Sequence, residues 1–395
     1  MTVKGHWILP QGIEEALPDQ AARLECLRRN LLDLYASWGY EMVMPPFIDH
    51  MESLLTGTGH DLDLQTFKLV DQVSGRTLGI RADMTPQVAR IDAHQLKRDV
   101  PTRLCYIGTV LRTRSDSFGS SRSPLQVGAE LYGHAGVESD VEILDLMLKT
   151  FEVAGVNDIY LDLGNVDVYK NLAKQAGLTE QDEICLFELL QQKAVTEIRQ
   201  LVAGLGIDAS VATMITQLAE LNGDISTINR ARELLKLAGP DVLSAIDYLE
   251  QVAQHVSRHN NNFRLNIDLA ELHGYHYHTG VVFGAFVPQL GQEIARGGRY
   301  DDIGKIFGRA RAATGFSTDL KQLTGLSSCD IQTPQKILAP ADEDQDLQVK
   351  IDKLRVEGYC VCRMLPGQVE DAAAMGCNQK LEQINGQWKL VPIES

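Results

Sequence analysis

The sequence predicts an α+β fold: one antiparallel sheet flanked by helices, broken by a helical insertion and followed by a small α/β unit. Three observations carry this expectation. Short alternating or apolar runs cluster within residues 66–133 and return as IYLDLG, FRLNIDLAEL and VVFGAFVP. Between IYLDLG and FRLNIDLAEL, residues 166–257 are almost wholly helical in spacing, with Gly and Asn breaks. After Cys329, the tail KILAP…QVKIDKLRVEGYCVCRML…KLVPI has its own strand and helix pattern. Strands on both sides of a helical block are most simply joined in one sheet with helices packed on it.

The elements follow in order. Leu24, Leu27, Leu31, Leu34 and Trp38 recur at helical spacing, so a helix is expected over 17–37, with Pro18 in its first turn and Gly39 at its exit. YEMVMPPF is a short strand stopped by Pro45 and Pro46. TFKLVD, RTLGIR, TRLCYIGTVLR and the run to Gly133 are strands, with a helix over 85–95 among them. The domain division expected is a body over 1–328, carrying the insertion, and a C-terminal unit over 329–395. No internal repeat or low-complexity segment is evident.

Composition narrows the function. The chain has 395 residues, 44% hydrophobic and 23% charged, enough for a substantial core. No apolar run reaches membrane-spanning length and the start, MTVKGHWILPQG, has no apolar signal region. A cytoplasmic protein without a membrane partner is expected. The net charge of -16 argues against broad nucleic-acid binding. The seven cysteines form no CxxC and no pattern with spaced histidines, so neither a zinc site nor a disulfide framework is expected. Cys360 and Cys362 alternate along a strand and read as inert thiols. His273, His276 and His278 span an expected turn without an acid at ligand spacing, so no metal site and no cofactor are expected.

GxxxxGK[ST], HExxH and GxSxG are all absent, and GTGHDLD lacks the strand-to-helix setting of a dinucleotide loop. One stretch does look like a site. LRTRSDSFGSSRSPLQVGAELYG has two arginines one residue apart, a small polar loop, and a strand in which Gln126 and Glu130 interrupt apolar neighbours. A loop tethered by arginines beside a strand that presents a carboxylate suits a phosphate and an amine.

In the order RADMT, YIGTVLR…QVGAELYG, GYHYHTGVVF, GGRYDD and GFSTDL, the chain resembles the histidyl-tRNA synthetases, a class II synthetase family. The resemblance covers residues 8–326. WGYEMVMPP resembles the dimer-forming first motif, the loop from Tyr106 to Gly133 the second, and GFSTDLKQL the third. The resemblance implies a class II antiparallel sheet. It also implies a pocket for free L-histidine made by Asp83, Thr85, Gln126, Glu130 and Tyr277, with His278 where the family has a second tyrosine. Taken singly these are ordinary polar positions on strand faces; taken together, in family order, they describe a pocket.

The phosphate side departs from the family. Arg112 matches the second-motif arginine, and the resemblance implies a remnant nucleotide or phosphate contact there. Arg114 stands where the family has a glutamate, Gln322 where it has the third-motif arginine, and His273 where an arginine contacts the α-phosphate. One lost charge contact typically costs on the order of 10²–10³ in rate. No catalytic residue is therefore assigned, and no aminoacylation or tRNA partner is expected.

A synthetase-like body with a histidine pocket, impaired chemistry and a short tail is similar to the regulatory subunits of ATP phosphoribosyltransferase. That resemblance implies a dimer, and a hetero-octamer with a short-form catalytic chain. It implies activation of that chain and feedback inhibition by histidine at the first step of histidine biosynthesis. Two alternatives stay open: a divergent histidyl-tRNA synthetase, or another synthetase-derived amino-acid-binding protein.

Overall fold

The computed structural model describes residues 8–55, 60–115, 121–259, 262–270, 274, 277–327 and 335–393. The chain divides into two compact units, Met1–Cys329 and Asp330–Ser395.

The first unit is built on a sheet with nine strands among the described residues. In spatial order they are Glu41–Met42, Thr102–Thr109, Leu125–Tyr132, Ala313–Asp319, Glu293–Arg299, Val281–Phe286, Ile159–Asn165, Phe263–Asp268 and Asn222–Gly223. The α+β class expected is the one found. The pairing differs in detail, because Glu41–Met42 runs parallel to Thr102–Thr109, and Ile159–Asn165 parallel to Phe263–Asp268. The second case has a topological cause: the insertion leaves the sheet after one strand and re-enters beside it, which is the crossover that parallel neighbours require. A second sheet of Ile48–His50, Thr77–Ile80 and Phe67–Val70 lies in the same unit.

Two long helices cover the sheet. Pro18–Ser37 starts with its proline in the first turn and buries Leu24, Leu27, Leu31 and Tyr35. Each of those leucines contributes about 1.5–3 kcal/mol by leaving water. Val137–Ala154 is buried along most of its length and ends at Gly155, whose left-handed φ of 68° suits glycine. Both contribute to one core with Val127, Ala129, Leu131, Leu161 and Leu163 from the sheet.

The insertion comprises the helices Val166–Ala176, Glu180–Gln191, Val195–Gly204, Ala209–Leu218, Thr227–Leu234 and Pro240–His259. Asn165 joins it to the sheet. Its Oδ1 accepts from Asp167 N to cap the first of these helices, and its Nδ2 donates to Ala245 O at 3.0 Å.

Two local readings of the sequence change. GGRYDD reads as a site-side segment or a tight turn, yet Gly297–Arg299 complete a strand and only Tyr300–Asp302 leave the sheet. A side chain at Gly297 would overlap Gly315 O and the Phe283 ring, so glycine there serves close strand approach. The helix expected over 85–95 is α-helical for Thr85–Arg90 and π-helical for Ile91–Leu96.

The second unit is a four-stranded sheet, ordered Cys360–Arg363, Lys336–Ala339, Gln379–Ile384 and Gln387–Pro392, with the helix Gln345–Val356. Ile337, Ala339, Leu347, Ile351, Leu354, Val361 and Leu381 form its core. Asn385 and Gly386, at φ of 54° and 75°, close its hairpin in the manner that favours Asn-Gly.

Candidate ligand-binding site

Glu130 lies in the middle of Leu125–Tyr132, a strand buried from Gln126 onward. An acidic side chain can sit there because its neighbours make room and supply donors. Gly315 is its register partner on Ala313–Asp319, and a Cβ at 315 would overlap the Glu130 carboxylate. Gly128 plays the same part for Tyr106, whose ring crosses the strand at the point where Gly128 has no side chain.

Three hydroxyls meet the carboxylate. Glu130 Oε1 accepts from Tyr106 Oη at 2.9 Å and from Thr85 Oγ1 at 3.2 Å, while Oε2 accepts from Tyr300 Oη. These donors do not offset the desolvation of a carboxylate that is 1% exposed. Burial, with Asp83 adding repulsion, pushes Glu130 up to about 8. Burial, and then the negative charge of Glu130, hold Tyr106, Tyr277 and Tyr300 far above the usual phenol range.

Beside this cluster, Gln126 and Asp83 are locked together. Gln126 Nε2 donates to Asp83 Oδ1 at 3.0 Å, and Gln126 Oε1 accepts from Met84 N at 2.9 Å. Asp83 Oδ1 also accepts from Thr85 N at 2.8 Å. The amide thus ties the start of the Thr85–Arg90 helix to the strand that carries Glu130. Tyr277 stacks on Tyr300 at 5.0 Å between ring centroids, and its buried hydroxyl has no partner among the described residues. His278 makes an edge contact with Tyr277, and its Nδ1 donates to Arg299 O at 3.1 Å.

All five residues expected in the pocket therefore lie in one connected cluster. Sequence reasoning missed Tyr106 and Tyr300. A tyrosine in an aliphatic strand such as TRLCYIGT, and another directly after GGR, were the available signals.

Next to the cluster, and sharing Gln126 with it, is a polar cleft of about 480 Å³. Arg112 and Gln322 both line it. Arg114 is exposed on the loop and is not among the lining residues. His273 falls outside the described residues, as does His276, so their geometry is not given.

The cations of the cleft are engaged by the chain itself. Lys321 Nζ donates to Ser123 O at 2.8 Å, Arg296 pairs with Glu293 at 3.0 Å, and Arg112 Nε donates to Ala82 O at 3.3 Å. Glu14, Glu293 and Asp319 balance Arg112, Arg296 and Lys321 in number. Among the described residues, this lining carries no excess positive charge. Among the described residues, no three His, Cys, Asp or Glu side chains group as a metal site. Among them, too, no helix is long and apolar enough to cross a membrane.

Comparison with known proteins identifies the family. The histidyl-tRNA synthetase family model matches residues 12–323, and the model for the C-terminal domain of the ATP phosphoribosyltransferase subunit HisZ matches residues 334–391. An ATP phosphoribosyltransferase regulatory subunit from Thioalkalivibrio sulfidiphilus is 59% identical over the full length of both chains. The chain belongs to the family of ATP phosphoribosyltransferase regulatory subunits. Another regulatory subunit of the family, from Methylococcus capsulatus, is 54% identical over 98% of this chain and 97% of its own. A Bacillus halodurans structure described as an ATP phosphoribosyltransferase regulatory subunit/histidyl-tRNA synthetase superposes with a TM-score of 0.83. It covers 95% of this chain and 97% of its own at 26% identity. A histidyl-tRNA synthetase from Nostoc, at 17% identity and a TM-score of 0.78, shares the fold. Membership in the regulatory subunit family makes this chain a regulatory rather than a catalytic subunit of a synthetase-like type.

Proposed function

We propose that this subunit senses free L-histidine at the Glu130 cluster and passes that signal to a short-form catalytic chain of ATP phosphoribosyltransferase. Without histidine it activates the catalytic chain; with histidine bound it inhibits it. The observation that carries the ligand assignment is the buried Glu130, surrounded by hydroxyl donors and pushed up to about 8. An ammonium or imidazolium placed there replaces a proton and lets the carboxylate ionise, because each charge compensates the desolvation of the other. Asp83, Thr85 and Gln126 supply further polar atoms for the same ligand, and Tyr277 and Tyr300 supply aromatic surface for a ring.

The balanced charges of the neighbouring cleft support a reading without adenylate formation or tRNA charging. Met44 lies within the segment that resembles a class II dimer motif and Phe47 and Ile48 directly follow it; all three are exposed and apolar. They favour a two-fold dimer as the core of a hetero-octamer.

Calorimetry of the purified protein tests the ligand. Histidine binds, histidinol binds more weakly for want of its carboxylate, and Glu130→Ala loses about 1–3 kcal/mol through a broken polar contact. Absence of histidine binding to the wild-type protein, alone and with its partner, overturns the assignment.

A further inference from the structure

The helical insertion reaches back to the Glu130 cluster through its first helix, Val166–Ala176. Its contacts fall on the residues that follow Tyr277. His278 O accepts from Lys170 Nζ at 2.6 Å. Thr279 N donates to Arg299 O at 2.8 Å, and Thr279 Oγ1 accepts from Asp301 N at 2.8 Å. Gly280 O accepts from Val166 N at 3.0 Å. Consecutive residues are thus tied down, His278 and Gly280 by the insertion and Thr279 by the end of Glu293–Arg299 and its exit.

The two contacts from the insertion belong together. Val166 N is one of the amides at a helix start that no intrahelical carbonyl satisfies, and Gly280 O satisfies it. Helical side chains lean toward the N-terminus, so Lys170 reaches back over the turn that Val166 begins. Lys170 is half-buried. Burial lowers its pKa from the usual lysine value, while the charges of Asp167 and Asp302 oppose that shift. Asp302 belongs to the segment that leaves the sheet after Arg299 and carries Tyr300. Tyr277 itself is held by a turn bond from its N to Gly274 O at 2.7 Å and by the stack on Tyr300. Its buried hydroxyl has no partner among the described residues. Where that hydroxyl points is therefore set by the Tyr300 ring and by the backbone on either side of Tyr277.

We propose that Lys170 is a positioning residue for the ligand pocket: by holding His278 O it fixes the backbone that aims the Tyr277 hydroxyl at bound histidine, and so ties ligand binding to the insertion. This role rests on the reading of the Glu130 cluster as a histidine pocket. A lysine suits the task, because its ammonium is a compact donor on a flexible stem that can reach a single carbonyl. A charged donor also holds that carbonyl more firmly than a neutral one.

Calorimetric titration of the full-length protein with L-histidine, run as a double-mutant cycle, tests the role. Lys170→Met keeps the apolar stem and removes the ammonium. It is expected to weaken binding roughly tenfold, the scale of one charge-assisted hydrogen bond. In a Tyr277→Phe background the same change is expected to cost little, because the hydroxyl it positions is gone. Wild-type affinity in Lys170→Met, or an equal loss in both backgrounds, overturns the proposal. Amide hydrogen exchange of the wild type gives a readout that does not depend on a variant folding. Histidine is expected to slow exchange in the first turn of Val166–Ala176; unchanged exchange there overturns the proposal. A wild-type protein that binds no histidine, alone and with its partner, overturns the pocket reading itself, and the role of Lys170 falls with it.

Discussion

Gly315 and Glu130 stand directly opposite one another on adjacent antiparallel strands, and the side chain that Gly315 lacks is the space the Glu130 carboxylate fills. The Glu130 cluster thus depends on a residue with no functional group. Gly315→Ala is expected to displace the carboxylate from Tyr300, lower stability by about 1–3 kcal/mol through overpacking, and abolish histidine binding. Denaturant unfolding and calorimetry together check it. An alanine variant with wild-type stability and affinity contradicts the described packing.

The protonation of Glu130 gives a dependence on pH whose sign is fixed. Its carboxyl moves from an ordinary value of 4.5 to about 8 in the fold, so the folded chain keeps a proton that the unfolded chain releases. The stability tied to this group is fully present below pH 4.5 and is lost as pH rises through 8. Glu130→Gln is expected to flatten the decline in unfolding free energy across that window. Saturating histidine should flatten it as well, because a bound cation lets the carboxylate ionise. Parallel slopes for wild type and variant would remove Glu130 as the titrating group.

Arg299 and Asp140 form a buried ion pair at 3.0 Å, with side chains 5% and 0% exposed. Arg299 also donates to Ser139 Oγ at 2.9 Å and to Gly136 O at 3.2 Å, tying Glu293–Arg299 to the start of the Val137–Ala154 helix. Arg299→Met leaves Asp140 buried without its cation, and about 3–5 kcal/mol of stability is expected to be lost. A loss well under 1 kcal/mol in chemical denaturation would mean that Asp140 is solvated.

Chemistry at the neighbouring cleft is expected to be absent. Lys321 and Arg296 are engaged by Ser123 and Glu293, and Gln322 stands where the synthetase resemblance calls for an arginine. No histidine-dependent exchange of pyrophosphate into ATP should be measurable, and no charging of tRNA. Sustained exchange by protein cleared of host synthetase contradicts this reading of the cleft.

The candidate site residues were legible through their order in the family resemblance; taken singly, Gln126 and Glu130 are polar residues in a strand whose neighbours are apolar. Such residues need partners, and the ordered segments on either side indicated where to look. Tyr106 and Tyr300 were not legible in the same way. A tyrosine fits a core strand on packing alone, and its hydroxyl partner is decided by strand pairing across 24 and 170 residues. GGRYDD reads as a segment beside the site or as a tight turn after a strand, because Gly297 and Gly298 carry the sequence signal of one, yet Gly297–Arg299 belong to the strand Glu293–Arg299. Its strand conformation is imposed by neighbours on both sides, Val281–Phe286 and Ala313–Asp319. The parallel pairing of Ile159–Asn165 with Phe263–Asp268 was equally hidden, since the helical insertion separates the two strands.

The central claim is that histidine at the Glu130 cluster controls a catalytic partner, with coupling that is reciprocal in binding free energy. The initial rate of phosphoribosyl-ATP formation by a cognate short-form ATP phosphoribosyltransferase tests it most directly. The rate is measured for the short chain alone, with this subunit, and with this subunit plus histidine. The account predicts a rise on adding the subunit and a fall on adding histidine, with Glu130→Ala keeping the rise and losing much of the fall. A rate unchanged by the subunit, with no co-elution of the two chains in gel filtration, contradicts it.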